Sequence, residues 1–168
     1  MIAIVLNGTS SSGKTSIVRS LQKLSKAPIL HASLDTFTDM FDWSSVHDED
    51  RKDCHRTGVS NFHNCLTILA SNRYTVVVDH VFERTEWVED CFNALGGRDI
   101  IFVGVHCLLE TVEERERKRG DRRTGLAKAQ FEVVHKNKVY DLEVDTSHLS
   151  PEQCAETILK YLEKKELP

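Results

Sequence analysis

The sequence predicts an α/β domain in which helices cover both faces of a parallel, five-stranded sheet. Three observations support this prediction: apolar runs of strand length, a helix-like segment after most of these runs, and a chain length that suits one domain. Runs that are apolar throughout are typical of strands buried on both faces, and parallel strands need helical crossovers. Five runs have strand character: Ile2–Leu6, Ile29–Leu34, Tyr74–Val78, Ile100–Val105 and Val139–Val144.

In the segments between these runs, apolar residues recur at helical spacing, which places them on one face of each predicted helix. Helices are predicted for Lys14–Leu24, Val59–Ala70, Glu86–Leu95, Leu109–Arg119 and a last segment that opens at Ser150-Pro151-Glu152. Pro28 ends the first helix, and Gly96-Gly97 follows the third. Ser150 suits the N-cap of the last helix and Pro151 its first turn. The alternation of strands and helices indicates a doubly covered sheet.

Length and composition limit the function classes. The chain has 168 residues, so we expect one domain over residues 1–168. The formal net charge of −4 disfavours a strongly basic nucleic-acid coat or a polybasic membrane binder. No run approaches the roughly 18 apolar residues that span a bilayer. The chain opens directly on a strand with no basic leader, and we therefore expect a cytoplasmic protein.

The five cysteines are odd in number and scattered, which favours reduced thiols over a disulfide framework. A zinc site is the alternative for one cluster, which contains Cys54, His55, His63 and Cys65. Its spacing matches no common zinc finger, and Cys65 falls in a predicted helix. Structural roles are therefore expected for these four residues.

A phosphate-binding loop follows the first strand. Residues Gly8, Thr9, Ser10, Ser11, Ser12, Gly13, Lys14 and Thr15 match G-x-x-x-x-G-K-[ST] between a strand and a helix. Amide groups of such a loop and the helix N-terminus bind phosphate, the lysine reaches the β- and γ-phosphates, and the Thr15 hydroxyl ligates Mg²⁺. Asp79 stands at the end of an apolar strand. P-loop proteins place at this position the acidic residue that holds Mg²⁺ or a water bound to it. ATP and Mg²⁺ are the expected cofactors.

Asp35 ends the second predicted strand, beside the loop in the expected topology. A carboxylate at this edge of the sheet can accept the proton of an attacking hydroxyl group, so Asp35 is the predicted general base. Asp39 is the competing candidate. The polar, acidic segment at about residues 36–57 is expected to cover the site as an irregular insertion. The predicted acceptor wall comprises Phe37, Phe41, Trp43, His80 and Phe82, and a place in the core is the alternative for each of these aromatic residues.

An arginine-rich segment at about residues 115–127 predicts a lid. Arginines flanked by glycines suit a segment that closes on phosphates, neutralises charge and excludes water. Arg119 and Arg122 are the expected catalytic arginines, whereas Arg117 and Lys118 suit a solvated helix face. The guanine-reading NKxD element is absent from the sequence, so a GTP switch is disfavoured.

Several blocks of the sequence together resemble the chloramphenicol phosphotransferase-like family of small P-loop kinases. They are IVLNGTSSSGKTSIVRSLQ, SLDTF, VVVDHVF, ERERKRGDRRTGLAKAQ and VVHKNKVYDLEVDTS. The resemblance implies a fold like that of shikimate and nucleotide kinases, and transfer of the γ-phosphate of Mg·ATP to an acceptor hydroxyl. By resemblance the general base is Asp35, and the lid arginines are Arg119 and Arg122.

Two departures from antibiotic-modifying members concern the acceptor side. His80 stands where those members have a second acidic residue, and the segment after Asp35 is shorter and more charged. We therefore expect an acceptor other than chloramphenicol, with other antibiotic hydroxyls still open. The alternatives are a kinase for nucleosides, nucleotides or nucleic-acid ends, and a non-catalytic, nucleotide-dependent binding module. Long nucleic acids and membranes are not expected as partners, and a homodimer stays open.

Overall fold

The computed structural model describes residues 1–119 and 125–166. Its strands form one sheet in the order β2-β3-β1-β4-β5, and each neighbouring pair runs parallel. The strands are β1 (Ile2–Asn7), β2 (Ile29–Ser33), β3 (Thr75–His80), β4 (Asp99–His106) and β5 (Leu142–Asp145). The predicted five-stranded parallel sheet is confirmed.

Helices cover the two faces of this sheet. They are α1 (Lys14–Leu24), α2 (Leu34–Thr38), α3 (Arg51–Leu69), α4 (Thr85–Ala94), α5 (Leu109–Arg119), α6 (Leu126–Phe131) and α7 (Pro151–Glu166). Helices α1 and α7 share one apolar cluster with the sheet, and α3 and α4 share the other. In the part of the chain that the structure describes, no helix has the length and apolar character to cross a membrane.

The central strand β1 shows why the apolar runs are continuous. Ile4 and Leu6 belong to the cluster with α1 and α7, whereas Ala3 and Val5 belong to the cluster with α3 and α4. All four side chains are fully buried. Successive strand residues point to opposite faces, so a strand covered on both faces needs apolar residues at every position.

The strand order determines where the site lies. The chain places β3 on one side of β1 and β4 on the other, so the connections leave the carboxyl ends of these strands in opposite directions. This divergence opens a crevice, the usual ligand position in open α/β sheets. Asn7 lies level with His80 of β3 and Gly104 of β4, which puts the three strand ends at one edge.

The segment expected to be irregular at residues 36–57 is helical at both ends, so that prediction was wrong there. Helix α3 begins at Arg51, eight residues before the predicted Val59, and α2 covers Leu34–Thr38. The added turns of α3 are mostly exposed and carry local ion pairs, Arg51 with Asp48 at 3.0 Å and Arg56 with Asp53 at 3.5 Å. Such turns bury no apolar stripe, which is why helical periodicity did not reveal them.

The end of the chain differs from the prediction in two further places. Strand β5 begins at Leu142 instead of Val139, because Val139 is 91% exposed and Tyr140 packs its ring on Phe102 with centroids 4.6 Å apart. Helix α6, with six residues, was not predicted. A helix this short has too few turns for a periodic pattern.

Candidate active site

The phosphate loop, residues 8–15, joins β1 to α1 through a tight backbone path. A Cβ atom on Gly8 would lie 2.5 Å from the carbonyl oxygen of Val105, so only glycine fits against β4. Ser11 and Gly13 have positive φ angles of 62° and 96°. Alternation of right- and left-handed residues turns successive amide groups towards one side and forms an anion-binding nest. Helix α1 begins at Lys14, so its N-terminus opens onto the loop.

Lys14 lies over the loop and is 7% exposed. Its ammonium group donates to the carbonyl oxygens of Gly8 at 3.0 Å and Thr9 at 2.8 Å. The same Nζ atom is 3.9 Å from a carboxylate oxygen of Asp79. These contacts hold the positive charge beside the nest and the end of β3.

Thr15 and Asp79 meet at the first turn of α1. The Thr15 hydroxyl donates to Asp79 Oδ2 at 2.7 Å, and His31 Nε2 lies 3.5 Å from that oxygen. Burial alone would raise the pKa of Asp79, but His31, Lys14 and Thr15 together lower that pKa below its ordinary value. Asp79 is therefore held as a carboxylate, and with the Thr15 hydroxyl it forms a pair of hard oxygen donors of the kind that Mg²⁺ prefers.

A cavity of about 510 Å³ lies over the loop and brings most predicted site residues to one place. Its lining includes Lys14, Thr15, Asp35, Asp79 and Arg119. Ser10, Ser11 and Gly13 of the loop also line it, whereas Gly8, Thr9 and Ser12 do not. Residues far apart in the chain thus converge at the carboxyl edge of the sheet.

Asp35 and Arg119 enter this cavity from different elements. Asp35 lies in the first turn of α2, directly after β2, and Arg119 is the last residue of α5. The order of the sheet sets β3 between β2 and β1, so Asp35 and the loop flank the end of β3. The second predicted lid arginine, Arg122, lies outside the described residues.

Arg115 and Thr146 form a contact that sequence reasoning missed. The guanidinium of Arg115 donates to the Thr146 hydroxyl at 3.1 Å and to its carbonyl oxygen at 2.9 Å. The Thr146 hydroxyl donates in turn to the Ser12 carbonyl oxygen at 2.7 Å. Both side chains line the cavity, as does Lys118, which also pairs with Glu114 at 2.6 Å. Arg115 could have been singled out from the sequence because it lies in the arginine-rich segment. No feature of the sequence marked Thr146.

His80 is the predicted wall residue that lines the cavity. It is fully buried, stacks on Phe82 at 4.0 Å between centroids, and faces His63 with Nε2 atoms 3.0 Å apart. Burial, followed by His63, lowers the pKa of His80 well below its ordinary value. Burial also lowers the pKa of His63, against the opposing effect of Asp90. The two rings are therefore neutral at pH 7 and share one N–H between them.

The other predicted wall residues have structural contacts. Phe82 is fully buried in the core. Phe37 packs on the core, and its ring centroid lies 5.3 Å from that of Phe62. Trp43 donates its indole N–H to the Thr38 carbonyl oxygen at 3.0 Å, and its ring centroid lies 5.9 Å from that of Phe41. Phe82, Phe37, Phe41 and Trp43 do not line the cavity over the phosphate loop.

Comparisons with known proteins show the family of the chain. The profile of the family described as chloramphenicol phosphotransferase-like protein matches residues 2–163. A Mycobacterium tuberculosis protein designated a candidate O-phosphotransferase is 27% identical over 170 residues, covering 86% of this chain and 74% of that protein.

Solved structures share the fold at low sequence identity. APS kinase from Mycobacterium tuberculosis, in complex with AMPPNP and APS, has a TM-score of 0.73 at 18% identity and 96% coverage of both chains. Shikimate kinase from Acinetobacter baumannii, bound to shikimate, has a TM-score of 0.69 at 18% identity, with 99% of this chain and 95% of that chain covered. These likenesses confirm the P-loop kinase fold. With the family match over nearly the whole sequence, they lead to one conclusion: the chain belongs to the chloramphenicol phosphotransferase-like family and is a phosphotransferase that acts on a small-molecule hydroxyl.

Proposed function

We propose that this protein transfers the γ-phosphate of Mg·ATP to the hydroxyl group of a small molecule, with Asp35 as the general base. One observation carries the proposal: Lys14, Thr15, Asp79, Asp35 and Arg119 line the same cavity of about 510 Å³. A P-loop alone would suit many nucleotide-binding proteins. A carboxylate facing the same space as the loop, with an arginine at the end of α5, is the combination that phosphoryl transfer requires.

Asp35 supplies the acceptor side of the reaction. The acceptor oxygen forms a bond to the γ-phosphorus while the bond between that phosphorus and the β–γ bridging oxygen breaks. Asp35 takes the proton of the acceptor hydroxyl, and ADP leaves with the electron pair of the broken bond. Asp35 lies two residues beyond the end of β2, so the sheet fixes its backbone relative to the loop. Fixed placement of the two reacting groups is a large part of catalysis in phosphoryl transfer.

Cationic groups balance the charge of the transferred phosphate. Lys14 is buried over the loop, where it can bridge the β- and γ-phosphates. Arg119, the last residue of α5, supplies a guanidinium group to the same cavity, and Arg122 is proposed to join it from the lid. Fixed positive groups at the site of developing charge stabilise the transition state without reorganisation.

Thr15 and Asp79 fit a Mg²⁺ site. Their hydroxyl and carboxylate oxygens are 2.7 Å apart, and the lowered pKa of Asp79 keeps its carboxylate charged. When bound with ATP, Mg²⁺ neutralises phosphate charge and orients the β- and γ-phosphates.

The acceptor and the cellular setting are the finer parts of this proposal. His80 supports an acceptor other than chloramphenicol, because a neutral, buried imidazole replaces the acidic residue of antibiotic-modifying relatives. The five cysteines are free thiols, which supports a cytoplasmic location.

The test is a phosphate-transfer assay with purified protein, Mg·ATP and a panel of hydroxyl compounds. The panel contains antibiotics, sugars, nucleosides and oligonucleotide ends, and product is detected by mass. We expect one compound class to gain a phosphate while ADP forms in equal amount. An oligonucleotide product would favour nucleic-acid-end kinase activity instead. ATP binding without transfer to any compound would favour the non-catalytic binding module.

Asp35→Asn is the variant that tests the base. It should lower kcat by about 10²–10⁴ while the Kd for Mg·ATP stays close to wild type, because the amide cannot accept the proton. Asp39→Asn is the matched control, four residues further along the chain. If Asp39→Asn stops turnover and Asp35→Asn does not, the competing aspartate is the base.

A further inference from the structure

One buried glutamine joins three parts of the active site. Gln130 lies in the last turn of α6 and is 6% exposed. Its Oε1 accepts a hydrogen bond from the Ser10 backbone N–H at 2.8 Å, and its Nε2 donates to Glu83 Oε1 at 2.7 Å. Ser10 is part of the phosphate loop and lines the cavity, while Glu83 follows β3, the strand that carries Asp79.

The partners determine the orientation of the Gln130 amide. A backbone N–H can only donate, so the atom that faces Ser10 is oxygen, and the NH₂ group then faces the carboxylate of Glu83. Both contacts are satisfied in this orientation and neither would be in the reverse one. Position 130 therefore has to present an acceptor on one side and a donor on the other.

Helix α6 is itself fixed to the arginine-bearing helix α5. The carboxylate of Glu116 accepts from the N–H groups of Gly125 at 2.7 Å and Ala127 at 2.9 Å. Glu116 is 4% exposed and lies one turn before Arg119 on α5. A chain of direct contacts thus runs from the end of α5 through α6 to the phosphate loop.

We propose that Gln130 is a positioning residue for nucleotide binding, which holds the Ser10 amide so that the phosphate loop keeps its binding geometry and stays connected to α5. This inference rests on the proposed function, because the loop is taken to bind Mg·ATP. Gln130 touches no reacting atom. It acts through Ser10, which lies just before Ser11 and Gly13, the loop residues with positive φ angles.

The contact with Glu83 permits a sharp test by exchange of the two side chains. In Gln130→Glu, the new carboxylate still accepts from Ser10 but repels Glu83. In Glu83→Gln/Gln130→Glu, the amide of residue 83 donates to the carboxylate of residue 130, which also accepts from Ser10. The exchange reverses the direction of the hydrogen bond between residues 83 and 130, and it leaves both side chains and the Ser10 N–H with a hydrogen-bond partner.

The measurement is the Kd for Mg·ATP by isothermal titration calorimetry, with thermal unfolding of each variant recorded in parallel. We expect Gln130→Glu to bind Mg·ATP about tenfold or more weakly, and the exchanged pair to return to within about threefold of wild type. Gln22→Glu is the matched control, with the same change on an exposed face of α1, and it should bind as wild type does.

Each outcome decides the inference. Wild-type affinity in Gln130→Glu, or weak binding in a folded exchanged pair, overturns it while leaving the proposed function intact. No binding of Mg·ATP by the wild type overturns the proposed function itself. If Gln130→Glu does not fold, Gln130→Met decides: it keeps the volume and removes the acceptor for Ser10, so wild-type affinity in that variant also overturns the inference.

Discussion

At the scale of single residues, Asp79 shows how neighbours determine the charge of a buried group. Burial opposes its ionisation, yet Lys14, Thr15 and His31 lower its pKa. Lys14 and Thr15 come from the first turn of α1, while His31 comes from β2. The charge of the Asp79 carboxylate therefore depends on how α1 and β2 are placed beside β3.

Replacement of Asp79 by Asn should weaken binding of Mg·ATP by about tenfold to a hundredfold, the usual worth of a lost hydrogen bond to a charged group. The amide keeps the size of the side chain but removes the negative charge that favours Mg²⁺. Titration calorimetry with and without Mg²⁺ measures this effect. Binding of ATP in EDTA should be no weaker than in wild type. Equal losses in both conditions would show that Asp79 supports the fold of the loop and not the metal.

The same residues show what the sequence could and could not predict. The phosphate loop was predictable because its glycines, lysine and threonine are required by local backbone and phosphate chemistry. The positions of Asp35 and Asp79 at the edge of the sheet were predictable because each stands at the end of an apolar run in the sequence. Gln130 was not, because its partner Ser10 lies 120 residues away and nothing in either local pattern marks the pair. The contact between His63 and His80 was hidden for the same reason.

At the scale of elements, the junction between α5 and α6 depends on Glu116. Both of its carboxylate oxygens accept backbone N–H groups, and the side chain is almost fully buried. The amide N–H groups at the start of a helix have no partners inside the helix, so this carboxylate satisfies donors that α6 cannot. Helix α6 has only six residues and owes its position to such contacts more than to its own propensity.

Glu116→Gln should therefore lower the free energy of unfolding by about 1–3 kcal/mol, since one amide NH₂ would face a backbone N–H. Urea unfolding measures the loss, and hydrogen exchange should speed up at the amides of α6. Glu114→Gln on the same helix is the control, because Glu114 pairs with Lys118 at the surface and the loss of such a pair should change little. Equal stability of the two variants would contradict the role of Glu116.

Most of the elements that bury a long apolar face have bounds close to the predicted ones. Helices α1 and α5 have the predicted bounds, and both contribute buried side chains. The first turns of α3 and the whole of α6 escaped prediction because their stability comes from ion pairs and distant contacts. Amphipathic periodicity detects burial on one face, and elements without such a face leave no signal.

At the scale of the whole molecule, three histidines have lowered pKa values and lie in two networks around the site. His63 and His80 face each other between α3 and β3. His135 stacks on His106 with ring centroids 4.1 Å apart, and its Nδ1 is hydrogen-bonded to the Tyr140 hydroxyl at 2.7 Å. Burial, with a smaller contribution from His106, lowers the pKa of His135 to about 4. The folded protein therefore keeps these rings neutral at pH values where the unfolded chain binds protons.

This difference predicts a loss of stability in mild acid. An unfolded histidine takes up a proton near pH 6.5, whereas these three stay neutral in the folded state until a lower pH. The unfolded state thus binds more protons below pH 6.5, so the stabilisation is complete above that value and is lost as the pH falls towards 4. Each fully buried, neutral histidine contributes a slope of up to about 1.4 kcal/mol per pH unit, and half-exposed His135 contributes less.

Urea unfolding at pH 7 and pH 5 measures the slope, and the difference between the two free energies is the readout. His80→Gln should reduce that difference by about 1–2 kcal/mol, whatever it does to stability at pH 7, because it removes a group that the fold keeps neutral. His47→Gln replaces an exposed histidine and should leave the difference unchanged. Equal differences in wild type and His80→Gln would mean that His80 takes up protons as readily in the folded protein as in the unfolded chain.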